Sequence, residues 1–271
     1  TLSWNGAFSK PASSVSTDYA KGFENKVYAT PSEASNKGGY YKAEDWTEDA
    51  TNANVDLYTD PRLPIIGRKK REYWAGTIAG AAMGEESNNG DKNAAYLNYK
   101  VLCRNNSDEW FMDYAEVEFI LAETALKGLI PGGETVAKAH YEKAITASLQ
   151  KWSDFASPVD PTLAITAEGI QTFLNSSLAS WDQATTLEAK SELIGNQKYL
   201  ALFWTGMEDW HEYRRTEYPK LTVGSGCVYN DMILPTRFAY PSTTIATNRV
   251  HADEALQRMG GENDMKTPVW W

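Results

Sequence analysis

Residues 113–128, DYAEVEFILAETALKG, open the stretch of sequence that decides the fold. Apolar side chains recur there at spacings of three and four residues, which is typical of an amphipathic helix. This spacing places four residues on the predicted core-facing side: Tyr114, Val117, Leu121 and Ala125. Gly128 stands where the end of a helix favours a left-handed residue, and Pro131-Gly132-Gly133 predicts a turn.

The next residues, ETVAKAHYEKAITASLQKW at 134–152, predict a second helix. Its apolar stripe contains Ala137, Tyr141, Ala144, Ile145, Leu149 and Trp152. With only a short turn between them, the two helices are expected to form an antiparallel hairpin. Ala137, Tyr141 and Ala144 also follow the small–aromatic–small spacing of tetratricopeptide repeats, in which small residues let neighbouring helices approach closely. This partial match favours a tetratricopeptide-like hairpin.

A second hairpin is predicted further along the chain. Residues 169–181, GIQTFLNSSLASW, place Ile170, Phe173, Leu174, Leu178 and Trp181 on one face. Thr185 and Glu188 form a capping-box pattern. That pattern would begin a long helix with apolar positions at Leu193, Ile194, Ala201, Trp204 and Met207.

The end of this long helix crowds aromatic and basic residues together before Pro219, which cannot continue a helix. We interpret Trp210, Tyr213 and Arg214-Arg215 as its closing turn, packed against a loop, with the arginines complementing the helix dipole. The sequence beyond Pro219 predicts a loop segment.

The first 112 residues show little periodicity and are rich in Asn, Gly, Ser and Thr, with turn signals such as Asn5-Gly6 and Lys37-Gly38-Gly39. They predict an irregular, loop-dominated segment. The fold class predicted for the whole chain is therefore mainly α, with long irregular loops and little β structure.

Composition bounds the function. The chain has 271 residues, 42% hydrophobic and 23% charged, which fits a globular protein with a substantial core. A net charge of −10 argues against nucleic-acid binding, which requires clustered Lys and Arg; the single basic run, Arg68–Arg71, fits a solvated loop. No apolar run approaches the roughly 20 residues that span a bilayer. The absence of an initiator Met and of a signal peptide indicates a processed or truncated piece.

Few residues suggest reactive chemistry. Glu208 and His211 have the spacing by which helical carboxylate proteins bind paired metals, but a chain with three His lacks the second such pair that this site needs. We therefore interpret His211 as a half-buried polar residue and predict no metal, no cofactor and no catalytic residue. Nucleophile-elbow, phosphate-loop, HExxH and EF-hand motifs are missing from the sequence. Cys103 and Cys227 are compatible with either one disulfide or two thiols.

Aromatic residues are the most informative feature of the composition, with 10 Trp and 15 Tyr against 8 Phe. Trp and Tyr combine an apolar face with a polar edge, which suits the stacking of sugar rings as well as packing. Several lie in or beside irregular sequence: Trp4, Tyr40, Tyr41, Trp46, Tyr73, Trp74 and Trp110. The last six are our candidate ligand-binding residues.

Several unusual strings occur in an order that resembles the SusD/RagB family, in particular the SusD-like lipoproteins of Bacteroidetes outer membranes. They are DPRLP at 60–64, DYAEVEFILAETALKG with YEKAI at 141–145, QKYLALFWTGMEDWHEYRRTEYPKL at 197–221 and GGENDMKTPVWW at 260–271. The resemblance implies a helical scaffold with tetratricopeptide-like hairpins and loops that form the ligand face. It identifies the chain as the C-terminal part of one SusD-like domain, with a loop-rich ligand face at 1–112, helical hairpins at 113–215 and a C-terminal loop segment at 216–271.

The resemblance also implies a function. Family members capture oligosaccharides at the cell surface without catalysis and pass them to a SusC-like TonB-dependent transporter in the outer membrane. They are held there by a lipid anchor that this chain does not contain. Two alternatives stay open at this stage: a helical glycoside hydrolase, whose paired acids cannot be picked out among 36 acidic residues, and a tetratricopeptide-type module that binds peptides.

Overall fold

A computed structural model describes residues 60–68, 96–103, 108–176, 178–221 and 223–269, and the structural statements that follow concern these residues. Their α-helices are α1 (Leu63–Ile66), α2 (Tyr99–Leu102), α3 (Tyr114–Leu126), α4 (Gly133–Ala156), α5 (Ala167–Asn175), α6 (Leu187–Ala201), α7 (Glu208–Thr216), α8 (Ser242–Thr247) and α9 (Arg249–Met259). Short 3-10 helices span Pro161–Leu163, Trp181–Gln183 and Ser225–Asn230. Two antiparallel strands, β1 (Gly67–Arg68) and β2 (Tyr96–Leu97), have two residues each. The predicted mainly α fold class with little β is confirmed.

Helices α3 and α4 form the predicted antiparallel hairpin and the centre of the core. Asp113 caps α3, because its side chain accepts a hydrogen bond from the Glu116 backbone N–H at 2.8 Å. Gly128 has φ +72°, as expected of a left-handed residue after a helix end, and Gly132 has φ +113°. Every residue of the predicted α4 stripe, from Ala137 to Trp152, is buried.

Of the face predicted to be buried on α3, Ala125 is buried, but Tyr114 and Val117 are not. Tyr114 and Val117 are exposed, whereas the core contains Ala115, Phe119, Ala122 and Ala125. Helix α3 contacts α4 on one side and α6 on another, and its apolar residues are distributed all around it. Small alanines are buried here because they permit close approach of the neighbouring helices, so the spacing of large apolar residues did not identify the core.

The long helix predicted from Thr185 to beyond Met207 is two helices. Helix α6 begins one residue later than predicted, with Thr186 as its cap, and ends at Ala201. The chain then turns through Trp204 and Gly206, which have φ values of +68° and +60°, before α7 begins at Glu208. Such backbone angles interrupt an α-helix.

The second predicted pair of helices also packs differently from the expected close hairpin. Helix α6 packs mainly against α3 and α7, and α5 packs against α4. Ile170, Phe173 and Trp181 are nonetheless buried as predicted. The 216–271 segment also differs from expectation, because it contains α8 and α9. Gly260, with φ +74°, ends α9, which is a helix-stop signal visible in the sequence.

A buried ion pair fixes the DPRLP segment to the helices. The Arg62 guanidinium contacts the Asp60 carboxylate at 2.7 Å and also donates to the Gln197 side-chain oxygen on α6 at 2.7 Å. It lies 5.3 Å from the centre of the Phe173 ring on α5. Both charged residues are almost completely buried. Because burial of a charge is costly unless it is paired, these contacts specify where residues 60–66 join the core.

Among the described helices, none is both long and apolar enough to cross a membrane. Cys103 and Cys227, which are both described, are not joined by a disulfide.

Candidate functional site

Of the six candidate ligand-binding residues, five lie outside the described residues: Tyr40, Tyr41, Trp46, Tyr73 and Trp74. They stay predictions.

Trp110, the sixth candidate, lies at the edge of the core. Its half-buried ring packs edge-on against Trp152 and Phe155, with centroid distances of 5.6 and 5.0 Å. The Lys151 ammonium lies 4.7 Å from the ring centre. Trp110 therefore contributes to packing, and its role in ligand binding stays a prediction.

The aromatic and basic residues of α7 pack against a loop as predicted, but Trp210 lies in the first turn of this helix and not in its closing turn. The Trp210 indole N–H donates to the Pro235 carbonyl at 2.8 Å. The Arg214 guanidinium lies 4.1 Å from the Trp210 ring centre and donates to the Thr236 carbonyl at 2.9 Å. Burial lowers the pKa of Arg214 below its ordinary value. Two hydrogen bonds from side chains of α7 to backbone carbonyls thus fix the loop at 235–236 to the helix.

Two aromatic rings are exposed immediately after this loop. The Phe238 side chain is 56% exposed, and its ring lies 5.3 Å from that of Trp210. The Tyr240 side chain is 38% exposed, and the Arg237 guanidinium lies 5.2 Å from its ring centre. We call these five residues, Trp210, Arg214, Arg237, Phe238 and Tyr240, the Phe238 surface.

A cleft of about 370 Å³ adjoins this surface at Arg214 and Thr236. Its lining is amphipathic, which is typical of ligand sites. The polar part consists of Tyr213, Arg214, Glu217, Lys220 and Thr236, and the apolar part of Leu221, Ile233, Leu234, Pro268 and Val269. We call this the Arg214 cleft. Its charged lining residues are mixed in sign, with the cations Arg214 and Lys220 and the anion Glu217.

Charged groups tie α7 to α3 and α6 behind these surfaces. Lys198 donates to Glu212 at 2.9 Å, and both side chains are buried. Arg215 pairs with Glu212 at 2.6 Å and with Glu123 on α3 at 2.5 Å. Although burial opposes ionisation of Glu123, hydrogen bonds from Arg215 and Lys127 lower its pKa to about 2. These contacts stabilise the position of α7, on which the Phe238 surface depends.

The Glu208–His211 pair considered for a metal lies at the surface, with 3.5 Å between the carboxylate and His211 Nδ1. His211 is exposed, contrary to the half-buried position predicted. Within the described part of the chain, no cluster of three or more His, Cys, Asp or Glu is placed to hold a metal ion.

Sequence reasoning did not single out Phe238, Tyr240 or the Arg214 cleft. The signal was the run Arg237-Phe238-Ala239-Tyr240-Pro241, in which aromatic residues alternate with others in a loop. Nothing in that run distinguishes exposed rings from packed ones, because the distinction depends on the approach of α7.

Together, these residues form a helical body that holds loops against α7, with an open cleft beside exposed rings. The SusD-like_2 family model, described as "Starch-binding associating with outer membrane", matches residues 9–241, so this chain belongs to the SusD-like family. Among curated proteins, no sequence matches it significantly.

Solved structures show the same fold. A SusD homologue from Bacteroides fragilis has a TM-score of 0.66 and 24% identity, covering 86% of this chain and 52% of its own. Another from the same species has a TM-score of 0.65 and 26% identity, covering 80% and 50%. A chitin-binding protein has a TM-score of 0.64 and 21% identity, covering 98% and 65%. The chain thus spans about half the length of the two SusD homologues.

Proposed function

We propose that this chain serves glycan capture at the cell surface: it binds oligosaccharides and passes them to a SusC-like TonB-dependent transporter in the outer membrane, without catalysing their cleavage. The observation that carries the proposal is the family match, which extends over 9–241 and whose description names starch binding and association with the outer membrane. The printed name of one structural neighbour, a chitin-binding protein, supports a glycan as the ligand class.

The physical basis of binding is stacking. A sugar ring offers an apolar C–H face to an aromatic side chain, while its hydroxyl groups need polar partners. A rigid frame with variable loops suits this task, because loops can differ between relatives without disturbing the core. The buried Arg62–Asp60 pair and the Lys198–Glu212 pair supply such a frame here.

A binding and turnover experiment tests the proposal. The purified protein is titrated calorimetrically with maltooligosaccharides and chitooligosaccharides, and each mixture is then analysed by chromatography for cleavage products. Binding of at least one oligosaccharide without product is the expected result. Release of shorter sugars would favour the glycoside hydrolase alternative, and failure to bind any glycan would contradict the proposal.

The loop tryptophans offer a finer test. Trp46→Ala and Trp74→Ala should each weaken binding by about tenfold or more, if ring stacking contributes here as much as it does with nucleic-acid bases, about 1–3 kcal/mol. Unchanged affinity in both variants would remove these residues from the site.

Passage to the transporter is tested by co-purification from outer membranes. A TonB-dependent transporter should co-purify with the protein, and its absence would contradict the proposed partner.

A further inference from the structure

The Phe238 surface has exposed rings whose positions are fixed. The Tyr240 backbone is clamped by Asn263, whose side-chain oxygen accepts from the Tyr240 N–H at 2.7 Å and whose amide donates to the Tyr240 carbonyl at 3.0 Å. Arg237 donates to the Asp264 carbonyl at 3.1 Å. Binding to such rings costs little ordering entropy, since the backbone beneath them is already held.

Each exposed ring also has a supporting group inside the protein. Phe238 is supported by Trp210, which is itself packed against the Arg214 guanidinium, and Tyr240 is supported by the Arg237 guanidinium. Cation–π contacts of this kind orient a ring without covering all of it. The exposed parts of both rings are therefore presented to solvent at defined positions.

The Arg214 cleft supplies polar groups next to these rings. Arg214 connects the two features, because its guanidinium stacks on Trp210 and also lines the cleft. Tyr213, Glu217, Lys220 and Thr236 are further polar or charged residues of the same lining. A ligand with apolar faces and many hydroxyl groups matches this combination of neighbouring surfaces.

We propose that the Phe238 surface and the Arg214 cleft form a carbohydrate subsite, in which one sugar ring of a neutral oligosaccharide stacks on Phe238 or Tyr240 and the adjacent unit enters the cleft. This inference rests on the proposed glycan-binding function and adds a site that the loop candidates do not include. The mixed charge of the cleft favours a neutral glycan, because a uronate or sulfated sugar would meet Glu217 as well as the two cations.

A second exposed aromatic region provides the matched control. Phe111 is 92% exposed in the segment just before α3, near the exposed Met112 and Tyr114. It is a Phe in the same chain, more exposed than Phe238, and it does not line the Arg214 cleft. Replacing it removes the same atoms without touching the proposed subsite.

The experiment compares calorimetric affinities of wild type, Phe238→Ala, Tyr240→Ala and Phe111→Ala for a maltooligosaccharide and a chitooligosaccharide. At least one of Phe238→Ala and Tyr240→Ala should bind about tenfold or more weakly, and Phe111→Ala should bind like wild type. Phe238→Leu, which keeps an apolar side chain and removes the ring face, should reproduce most of the loss. Thermal melting of each variant checks that its fold is retained.

The outcomes separate the claims. If wild type binds a glycan and both Phe238→Leu and Tyr240→Ala bind it equally well, the subsite is refuted while the glycan function stands. If wild type binds no glycan, both the subsite and the glycan-binding function are refuted.

The salt dependence of binding tests the ligand class. The affinity for the oligosaccharide should change less than about twofold between low and high salt, since a neutral ligand makes no ion pair to be screened. A steep loss of affinity with salt would contradict the neutral ligand class.

Discussion

Aromatic side chains are used in two opposite ways in two regions of this molecule. In the body formed by α3, α4 and α6, they pack on one another: Trp152 is buried, and its ring lies 5.8 Å from Phe155 and 6.0 Å from Phe203. On the Phe238 surface, the rings of Phe238 and Tyr240 have one supported side and one exposed side. The body rings stabilise the fold, and the surface rings are available to a ligand.

The difference teaches that aromatic content alone does not indicate binding. What distinguishes the two regions is the nature of the neighbours. The body rings belong to the buried apolar cluster, even where a cation such as Lys151 approaches Trp152, whereas the surface rings lie in a loop held by arginines and by backbone hydrogen bonds. Substitutions in the two regions should therefore change different measured quantities.

The largest expected effect is that of Trp152→Ala. Removal of this completely buried ring should lower the free energy of unfolding by about 3–5 kcal/mol, because the cavity left in the core cannot refill. Urea denaturation measures it. Phe111→Ala is the exposed control and should change stability by less than about 0.5 kcal/mol. Equal effects of the two would contradict the division between body and surface.

Next comes the buried ion pair that anchors residues 60–66. Arg62→Leu leaves the buried Asp60 carboxylate without its partner and should cost about 3 kcal/mol or more in the same assay. Arg249→Leu breaks an exposed Arg–Asp pair on α9, at 2.9 Å, and should cost less than about 1 kcal/mol. A cost for Arg62→Leu as small as that for Arg249→Leu would show that the anchor does not stabilise the body.

Two glutamates on α3 should respond to pH in opposite directions. Burial of Glu118 opposes its ionisation, but hydrogen bonds from His140 and Lys143 outweigh this and lower its pKa from 4.5 to about 2. Its contribution to stability is therefore present above pH 4.5 and lost as the pH falls towards about 2. Glu118→Gln should destabilise the protein at neutral pH. It should also reduce the loss of stability between pH 4.5 and about 2, measured as melting temperature against pH.

Glu116 is the contrasting case. Burial raises its pKa despite the attraction of Lys198, and one of its carboxylate oxygens is buried without a hydrogen-bond partner. Its ionised form is a cost at neutral pH, so this part of stability should rise as the pH falls through the raised pKa. Glu116→Gln should be at least as stable as wild type at neutral pH. Destabilisation equal to that of Glu118→Gln would contradict this assignment.

The smallest effect concerns the loop behind the Phe238 surface. Trp210→Phe keeps a ring under Phe238 but removes the indole N–H that donates to the Pro235 carbonyl at 2.8 Å. It should cost about 1 kcal/mol in stability, the usual net value of one hydrogen bond. The check is urea denaturation, and a loss comparable to that of Trp152→Ala would place Trp210 in the body instead.

The sequence predicts the presence of the main helices better than it predicts which face of each helix is buried. The α4 stripe from Ala137 to Trp152 is correct because a helix with one strongly apolar side has one way to face a core. On α3 the same reasoning selects Tyr114 and Val117, which are exposed, because apolar residues surround this helix and alanines make its close contacts. Spacing along one helix carries no information about which neighbours approach it.

Two further misses have local causes. The turn at Trp204 and Gly206 lies in apolar sequence, so the helical period continues through a place where the backbone does not. The Phe238 surface and the Arg214 cleft assemble from residues 210–221, 233–240 and 268–269, which lie apart in sequence. These segments come together only in the tertiary structure, so no local sequence pattern predicts the site.

Hydrogen–deuterium exchange with and without a bound oligosaccharide tests most directly whether the Phe238 surface binds the ligand while the helical body only stabilises the fold. With a maltooligosaccharide or chitooligosaccharide shown to bind, the account predicts slower amide exchange in peptides covering 233–240, and unchanged exchange in peptides covering the α3–α4 hairpin. Protection confined to the hairpin, with residues 233–240 exchanging as fast as in the unbound protein, would contradict it.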